Sequence, residues 1–255
     1  MSKDKDGVVV GKSSRASVVE VNSTTRPDLL QSLYDEVLVK SFSRNDLGAP
    51  WWKVDTDTLT QSLLALDSSG DVIGGAVSEL FPHSRVRLLY WLAIRPELRG
   101  QGIGTLLMNH VAQSWYGQPG QKMVVGEIDD PRYWSGDSQD PLLRLKFYHR
   151  LGVRALDRPY FVPAVGPGYV SAYHVFLVSF DATAPAILPN GRVDGIVVRT
   201  FINEYLKFAA KFSTGNQFDQ ESEWLLSFYD GSAIPLVPLL EYESLPDLAP
   251  PGQTQ

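Results

Sequence analysis

The sequence predicts an α/β (α+β) fold: a mixed, mostly antiparallel twisted sheet flanked by helices, with a C-terminal helical extension. Three observations carry that reading. Strand-like and helix-like segments follow one another in the order strand, helix, hairpin, strand, helix, strand, helix, strand, strand, which is the pattern of helices packed on a sheet. Asp67-Ser-Ser-Gly70 joins two apolar runs with hairpin-turn chemistry, so those two neighbours are antiparallel. Leu88 to Ile94 is apolar throughout, as a strand buried on both faces must be.

Taken in order, residues 1–15 read as a polar leader and Ser17 to Val21 as a first strand. Asn22-Ser-Thr-Thr-Arg-Pro27 offers a capping side chain and then proline, a helix start. Leu29, Leu30, Leu33, Val37 and Leu38 recur at helical spacing and predict a helix to about Lys40. A loop with Phe42, Pro50, Trp51 and Trp52 comes next, the two tryptophans being candidates for a pocket wall, a core contact or a dimer contact. Leu63 to Leu66 and Val72 to Val77 form the hairpin, and Arg87 to Ile94 the buried strand. Ile103, Leu106, Leu107, Val111 and Trp115 fall on one stripe of a helix that ends near Tyr116. Lys122 to Ile128 is a strand, Asp129 to Asp140 an acidic loop, and Pro141 to Leu151 a helix with Leu143 and Phe147 one turn apart and Gly152 as its C-cap. Arg154 to Phe161 and Tyr173 to Phe180 complete the sheet.

Beyond residue 181 the character changes. Val197, Phe201, Tyr205, Phe208 and Phe212 align on a helix from Asp194 to Phe212, a stripe too apolar to leave in water. It is expected to pack on the sheet domain or on a second copy of the chain, as a homodimer. Pro235, Pro238, Pro246, Pro250 and Pro251 mark 231–255 as a Pro-rich tail, its final ten or so residues disordered. The predicted organisation is thus a leader over 1–15, a catalytic-type domain over 16–180, an extension over 181–230 and the tail.

Composition narrows the function. The 255 residues are 44% apolar and 20% charged, enough for a sizeable core. Cysteine is absent, which excludes a disulfide scaffold, a thiolate zinc site and a cysteine nucleophile. The net charge of −6 disfavours nucleic acid as a partner, since phosphate contact needs clustered Lys and Arg. No run approaches the roughly 20 apolar residues of a membrane span, so no membrane partner is expected. No secretory core follows Met1, so the expected location is cytoplasmic. His83, His110, His149 and His174 are widely spaced and form no metal pattern; no metal is expected.

Arg99-Gly-Gln-Gly-Ile-Gly104 is the segment that carries chemistry. It lies between a buried strand and a helix. Its glycines allow positive φ and close backbone approach, and its N–H groups stand at the positive end of a helix dipole. That geometry suits a pyrophosphate, and Arg99 adds a charge-assisted donor. The dinucleotide fingerprint does not fit, because Gly100-Gln-Gly102-Ile-Gly104-Thr105 lacks the last glycine at the right spacing. Gly7 to Ser13 resembles a P-loop but is one residue too short.

Leu92-Ala-Ile-Arg-Pro-Glu-Leu-Arg-Gly-Gln-Gly-Ile-Gly-Thr-Leu-Leu107 resembles the acyl-CoA-binding motif of the GNAT N-acetyltransferase superfamily. Phe147-Tyr-His-Arg-Leu-Gly-Val153 is similar to a later motif of the same family, and the order of elements fits over residues 16–180. The resemblance implies a GNAT-like fold and acetyl-CoA as cosubstrate. It implies that the pyrophosphate sits on Arg99, Gly100, Gln101, Gly102, Ile103, Gly104 and Thr105. It places the pantetheine arm along Leu92, Ala93 and Ile94. Its chemistry is direct attack of an amine on the acetyl carbonyl, so the partner is an amine-bearing substrate, a small molecule in preference to a protein.

That chemistry needs a base for the amine and an acid for the thiolate. The family often uses the tyrosine of the second motif as the acid, here Tyr148; a packed core ring is its structural alternative. Where many members carry a catalytic Glu before the glycine loop, this sequence has Tyr90 and Trp91. Glu127 is the substitute candidate for the base, with a solvated loop carboxylate as its alternative. Asp129 and Asp130 are weaker candidates, and Asp137 and Asp140 read as turn and cap residues. A rival reading is a non-catalytic acyl-CoA sensor or interaction module on the same fold.

Overall fold

A computed structural model describes residues 8–12, 16–22, 24–42, 47, 59–133, 140–162, 171–211 and 216–248. Trp51, Trp52, Asp137 and Phe212 lie outside them, as do residues 249–255. The chain divides into two compact units, Met1–Leu80 with Leu88–Tyr116, and Phe81–Arg87 with Gly117–Gln255. The first boundary therefore falls inside the segment expected to be one domain over 16–180.

The first unit contains β1 (Val8–Lys12), β2 (Ser17–Val21), α1 (Pro27–Leu33), β3 (Thr60–Leu66), β4 (Val72–Phe81), β5 (Val86–Ile94) and α2 (Ile103–Trp115). Its strands lie in the order β1-β2-β3-β4-β5, and the first three pairings are antiparallel. β1 falls inside the expected polar leader: the valines at 8 to 10 form a strand against β2, with Val9 opposite Val19. Leu29, Leu30, Leu33, Val37 and Leu38 are buried with Val19, Val21, Leu64, Val72, Val77 and Ala93. The helix expected to run to Lys40 is α-helical only to Leu33, after which Tyr34–Leu38 is a π-helical turn. Its start also differs. Asn22 Oδ1 accepts the Thr24 and Thr25 N–H groups at 3.1 and 3.0 Å, whereas the N-cap is Arg26, which gives no side-chain cap. Pro27, with no N–H to satisfy, fits that start. A Cβ on Gly74 would lie 2.6 Å from Ile94 Cδ1 and 3.0 Å from the Ala93 carbonyl, so β4 carries glycine where β5 comes closest.

The second unit contains β6 (Met123–Asp129), α3 (Pro141–Arg150), β7 (Arg154–Leu156), β8 (Val175–Ser179), α4 (Gly195–Ala209), α5 (Asn216–Ser227) and β9 (Leu236–Pro238). Its strands lie in the antiparallel order β6-β8-β7-β9. β7 is much shorter than the strand expected to reach Phe161, because Asp157 N–H turns to the Pro235 carbonyl at 3.0 Å. β9 arises within the segment read as a Pro-rich tail. Pro238 can end it, since an edge residue needs no ladder donor.

Asp140 caps α3 as expected, accepting Leu142 N–H at 2.8 Å. The buried stripe of α3 is Leu145 and Tyr148, displaced from the expected Leu143 and Phe147; Leu143 is 65% exposed. Asp194 caps α4, which buries Val198, Phe201, Ile202, Tyr205, Leu206 and Ala209. The stripe is thus wider than the expected one, and Val197 and Phe208 lie at its margin, half-buried. Phe81 meets Phe201, Tyr205 and Phe208 edge-on at centroid distances of 5.2, 5.9 and 6.2 Å. Glu204 of the same helix accepts the His83 and Ser84 N–H groups and the Ser84 hydroxyl at 2.8 to 3.0 Å. Among the described residues no helix is long and apolar enough to cross a membrane.

The first turn of α4 leaves no room for a side chain at Gly195: a Cβ there would stand 1.9 Å from the Ser232 carbonyl oxygen. Because the obstacle is backbone, Gly195→Ala must displace a chain segment. The expected cost is about 3 kcal/mol of unfolding free energy, at the upper end of ordinary overpacking. Urea denaturation measures it; an unchanged midpoint would show that α4 does not start against the 231–232 turn.

Candidate active site

The glycine loop belongs to the first unit. Where β5 ends, Arg95 N–H bonds the Ile73 carbonyl at 2.9 Å, and Pro96–Leu98 makes a single 3-10 turn. Gly100 and Gly102 then take φ of 74° and 84°, a left-handed conformation that side chains resist. Gly102 is the N-cap of α2, and its carbonyl accepts Leu106 N–H at 2.9 Å. Among the described residues, no N–H from Gly100 to Thr105 has a protein acceptor. A Cβ added at Gly100 or Gly102 would meet nothing within 4 Å. The glycines are thus required by backbone conformation, and the protein leaves the space beside them open. An open row of unused donors at the N-terminus of a 13-residue helix is geometry that favours an anion.

Leu92 and Ile94 are half-buried and Ala93 is buried. The exposed Arg99 side chain turns back. Its Nε donates to the Ile94 carbonyl at 3.3 Å and its guanidinium to the Ser41 hydroxyl at 3.1 Å, so the residue ties the loop to the strand end. Trp91, at the place where the resemblance leads one to seek a catalytic Glu, packs against the core of the first unit.

The titratable candidates belong to the second unit. On β6, Glu127 and Asp129 share a face by the period of two, while Ile128 points to the other side and is buried. Asp129 is held by Arg144 of α3 at 2.5 Å. Asp130 is buried and gripped through both oxygens by Arg132 at 2.7 to 3.0 Å. Both weaker candidates are therefore occupied. Glu127 has no cationic partner among the described residues; its Oε1 accepts the Tyr160 hydroxyl at 2.5 Å, and its Oε2 has no protein donor among them. Burial pushes the Glu127 carboxyl up to about 7; the Tyr160 hydrogen bond opposes the shift and nearby Asp129 adds to it.

Tyr148 is buried on α3, its ring 5.1 Å from Phe147 and set edge-on to Phe180 at 5.4 Å. Burial pushes its phenol up to about 12, against the pull of Arg144, so it stays protonated at neutral pH. Among the described residues its hydroxyl makes no hydrogen bond, to Glu127 or to any other group. Packing and an available proton coexist in it.

Tyr160 is the residue that sequence reading misses. The sequence puts it within a strand, and its partner lies 33 positions away. The available signal is general: a buried tyrosine usually finds an acceptor for its hydroxyl.

Residues 60–154 match the family pattern of the acetyltransferase (GNAT) domain. Over those residues the chain is similar to a GNAT acetyltransferase domain. A protein of the GNAT acetyltransferase family from Bacteroides thetaiotaomicron superposes with a TM-score of 0.50 at 17% identity, over 64% of this chain and 85% of its own. The fold is GNAT-like in that sense. Weaker superpositions include the ribosomal-protein-S18-alanine N-acetyltransferase from Escherichia coli, with 12% identity, coverage of 64% and 92%, and a TM-score of 0.42. The IAA acetyltransferase from Bacillus cereus ATCC 14579 gives 17%, 64% and 97%, and 0.42. No curated protein sequence matches the chain.

The position of Glu127 has a thermodynamic signature. Its folded-state pKa of about 7 lies above the ordinary 4.5, so the folded protein holds this proton more tightly than the unfolded chain. The resulting stability is complete below pH 4.5 and is lost as pH rises through 7. Glu127→Gln cannot ionise and escapes that loss. The variant should melt above wild type at pH 8, by a margin that vanishes toward pH 4.5, in calorimetric scans across that range. A margin independent of pH would show that Glu127 is not desolvated.

Proposed function

We propose that the protein is an acetyl-CoA-dependent N-acetyltransferase acting on a primary amine by direct attack, a small molecule in preference to a protein. The observation that carries the reading is the open row of unused N–H donors from Gly100 to Thr105 at the start of α2. In this reading the backbone of Arg99, Gly100, Gln101, Gly102, Ile103, Gly104 and Thr105 holds the pyrophosphate, and Leu92, Ala93 and Ile94 receive the pantetheine arm. When bound, acetyl-CoA supplies a thioester carbonyl open to attack and a thiol leaving group. Glu127 takes the amine proton on Oε2, and its pKa near 7 suits a base that must be ionised at neutral pH yet still bind a proton. Tyr148 gives its phenolic proton to the departing sulfur and is protonated across the working range.

The sensor reading has one observation in its favour, the absence of a carboxylate on Leu88–Ile94, with Trp91 committed to the core. Glu127 weighs against it, because a purely binding protein gains nothing from a desolvated carboxyl without a cation.

Two experiments test the proposal, the first its cradle and the second its chemistry. Acetyl-CoA at millimolar concentration should raise the melting temperature by mass action, and Gly102→Asp should abolish that rise by placing a side chain and a negative charge on the cradle. A folded wild type with no shift would remove the cradle. Tyr148→Phe keeps the ring and its packing, so its thermal shift with acetyl-CoA should match wild type. On a panel of primary amines assayed by thiol release, its kcat should fall at least tenfold, the low end of general acid–base effects of about 10²- to 10⁴-fold after partial replacement by water. Full activity would take Tyr148 out of the chemistry and leave positioning alone.

A further inference from the structure

This inference rests on the proposed role of Glu127 as the base. A carboxylate on a strand has a freely turning end unless something fixes it, and nothing on β6 does so. The only hydrogen bond that the Glu127 carboxylate makes among the described residues comes from Tyr160, which is 2% exposed and lies beyond the end of β7. That segment runs on from β7, which pairs with β9, and it is held by residues from the C-terminal part of the chain. The Tyr229 hydroxyl donates to the Pro159 carbonyl at 3.1 Å, one residue from Tyr160. Asp157 N–H donates to the Pro235 carbonyl at 3.0 Å, and the Arg158 guanidinium to the Ser232 hydroxyl at 3.2 Å. Arg154 reaches the Leu236 carbonyl at 2.7 Å. Four attachments therefore run from residues 229–236 to residues 154–159, immediately before the tyrosine.

We propose that Tyr160 is a positioning residue for Glu127, and that residues 229–236 hold the segment that carries it, so that the C-terminal extension sets the orientation and proton affinity of the base on β6. One carboxylate oxygen is fixed by the phenol, and the other is left to accept a proton. Tyr229 is 1% exposed and Tyr160 nearly as buried, so neither hydroxyl can trade its bond for water at low cost. Among the described residues, the groups that face this pair are these. Asp129 stands beside Glu127 on β6 and is compensated by Arg144 of α3. Tyr205 of α4 and Tyr229 face Tyr160; both are phenols and uncharged at neutral pH. Tyr160 itself is pushed well above the usual phenol range, by burial first and then by Glu127, so it remains a donor and never competes as a base. Loss of its hydrogen bond leaves the Glu127 carboxylate with less stabilisation and must raise its pKa.

The test needs no acceptor substrate. The full-length protein carries ¹³C-labelled Glu carboxyl groups and is titrated by NMR between pH 4 and 9, the Glu127 resonance being assigned as the one missing in Glu127→Gln. Wild type should titrate with a midpoint of about 7. Tyr160→Phe, which keeps the ring, should move the midpoint upward by at least half a unit, roughly a threefold change in proton affinity. Tyr229→Phe, which leaves Tyr160 intact, should move it in the same direction by less. A midpoint near 7 that does not respond to Tyr160→Phe overturns the positioning role and leaves the base reading standing. A wild-type midpoint near 4.5 overturns the base reading itself. If Tyr160→Phe does not fold, Tyr229→Phe decides: an unmoved midpoint there removes the extension from the arrangement.

Discussion

A carboxyl whose pKa burial raises, steadied by one phenol and by no cation among the described residues, is the constraint on which the candidate chemistry of the second unit turns. Burial raises the pKa of Glu127 to about 7, and the Tyr160 hydrogen bond opposes that shift without contributing a charge, as an Arg or Lys partner would. Arg144 is paired with Asp129 and Arg132 with Asp130.

The first unit answers a different constraint, that of backbone conformation. Two glycines in the left-handed region turn the chain from the end of β5 into α2 within a few residues, and the turn leaves a row of N–H groups that the fold cannot satisfy. In most settings unused donors are a defect. Here they converge at a helix N-terminus with open space beside the glycines, and Arg99 closes back on Ile94 and Ser41. Arg99 thereby serves the shape of the loop before it serves any ligand. The sequence motif reports the loop faithfully because glycine at these positions is a conformational necessity.

Legibility in the sequence tracks the range of the interactions. β2, β5, α2, β6 and β8 are readable because each rests on a local period or an unbroken apolar run. The caps Asp140 and Asp194 are readable for the same reason, since a cap acts within three residues. Interactions set by partners far along the chain are not. Val8–Lys12 is a strand because β2 offers a free edge, and three valines in a polar stretch do not announce that edge. α3 buries Tyr148 rather than Phe147 because Phe180 lies over it. β9 forms in a proline-rich stretch because β7 pairs with it and Pro238 falls where no donor is needed. Tyr160 belongs to this group: its position depends on attachments to residues 229–236, and no spacing within 154–161 encodes them.

Three carboxylates at positions 127, 129 and 130 would by themselves draw in a cationic amine by charge. The pairing of Asp129 and Asp130 weakens that argument, because two of the three charges are cancelled before any ligand arrives. What remains is a matter of proton transfer. A primary amine with a pKa of about 10 must lose a proton before it can attack, and handing it to a carboxyl near 4.5 costs about 7.5 kcal/mol at roughly 1.36 per unit. Handing it to one near 7 costs about 4 kcal/mol. The raised pKa of Glu127 thus removes roughly 3 kcal/mol from the unfavourable transfer, a factor of about 300 in its equilibrium constant. In the proposed chemistry this gain has a matching loss, since a base with a pKa near 7 is half protonated at neutral pH and idle in that half. A factor of about two given up against a factor of about 300 gained in that transfer is why a raised pKa suits Glu127 to the proposed role of base, and why the uncharged phenol of Tyr160 suits it better as a partner than an arginine would.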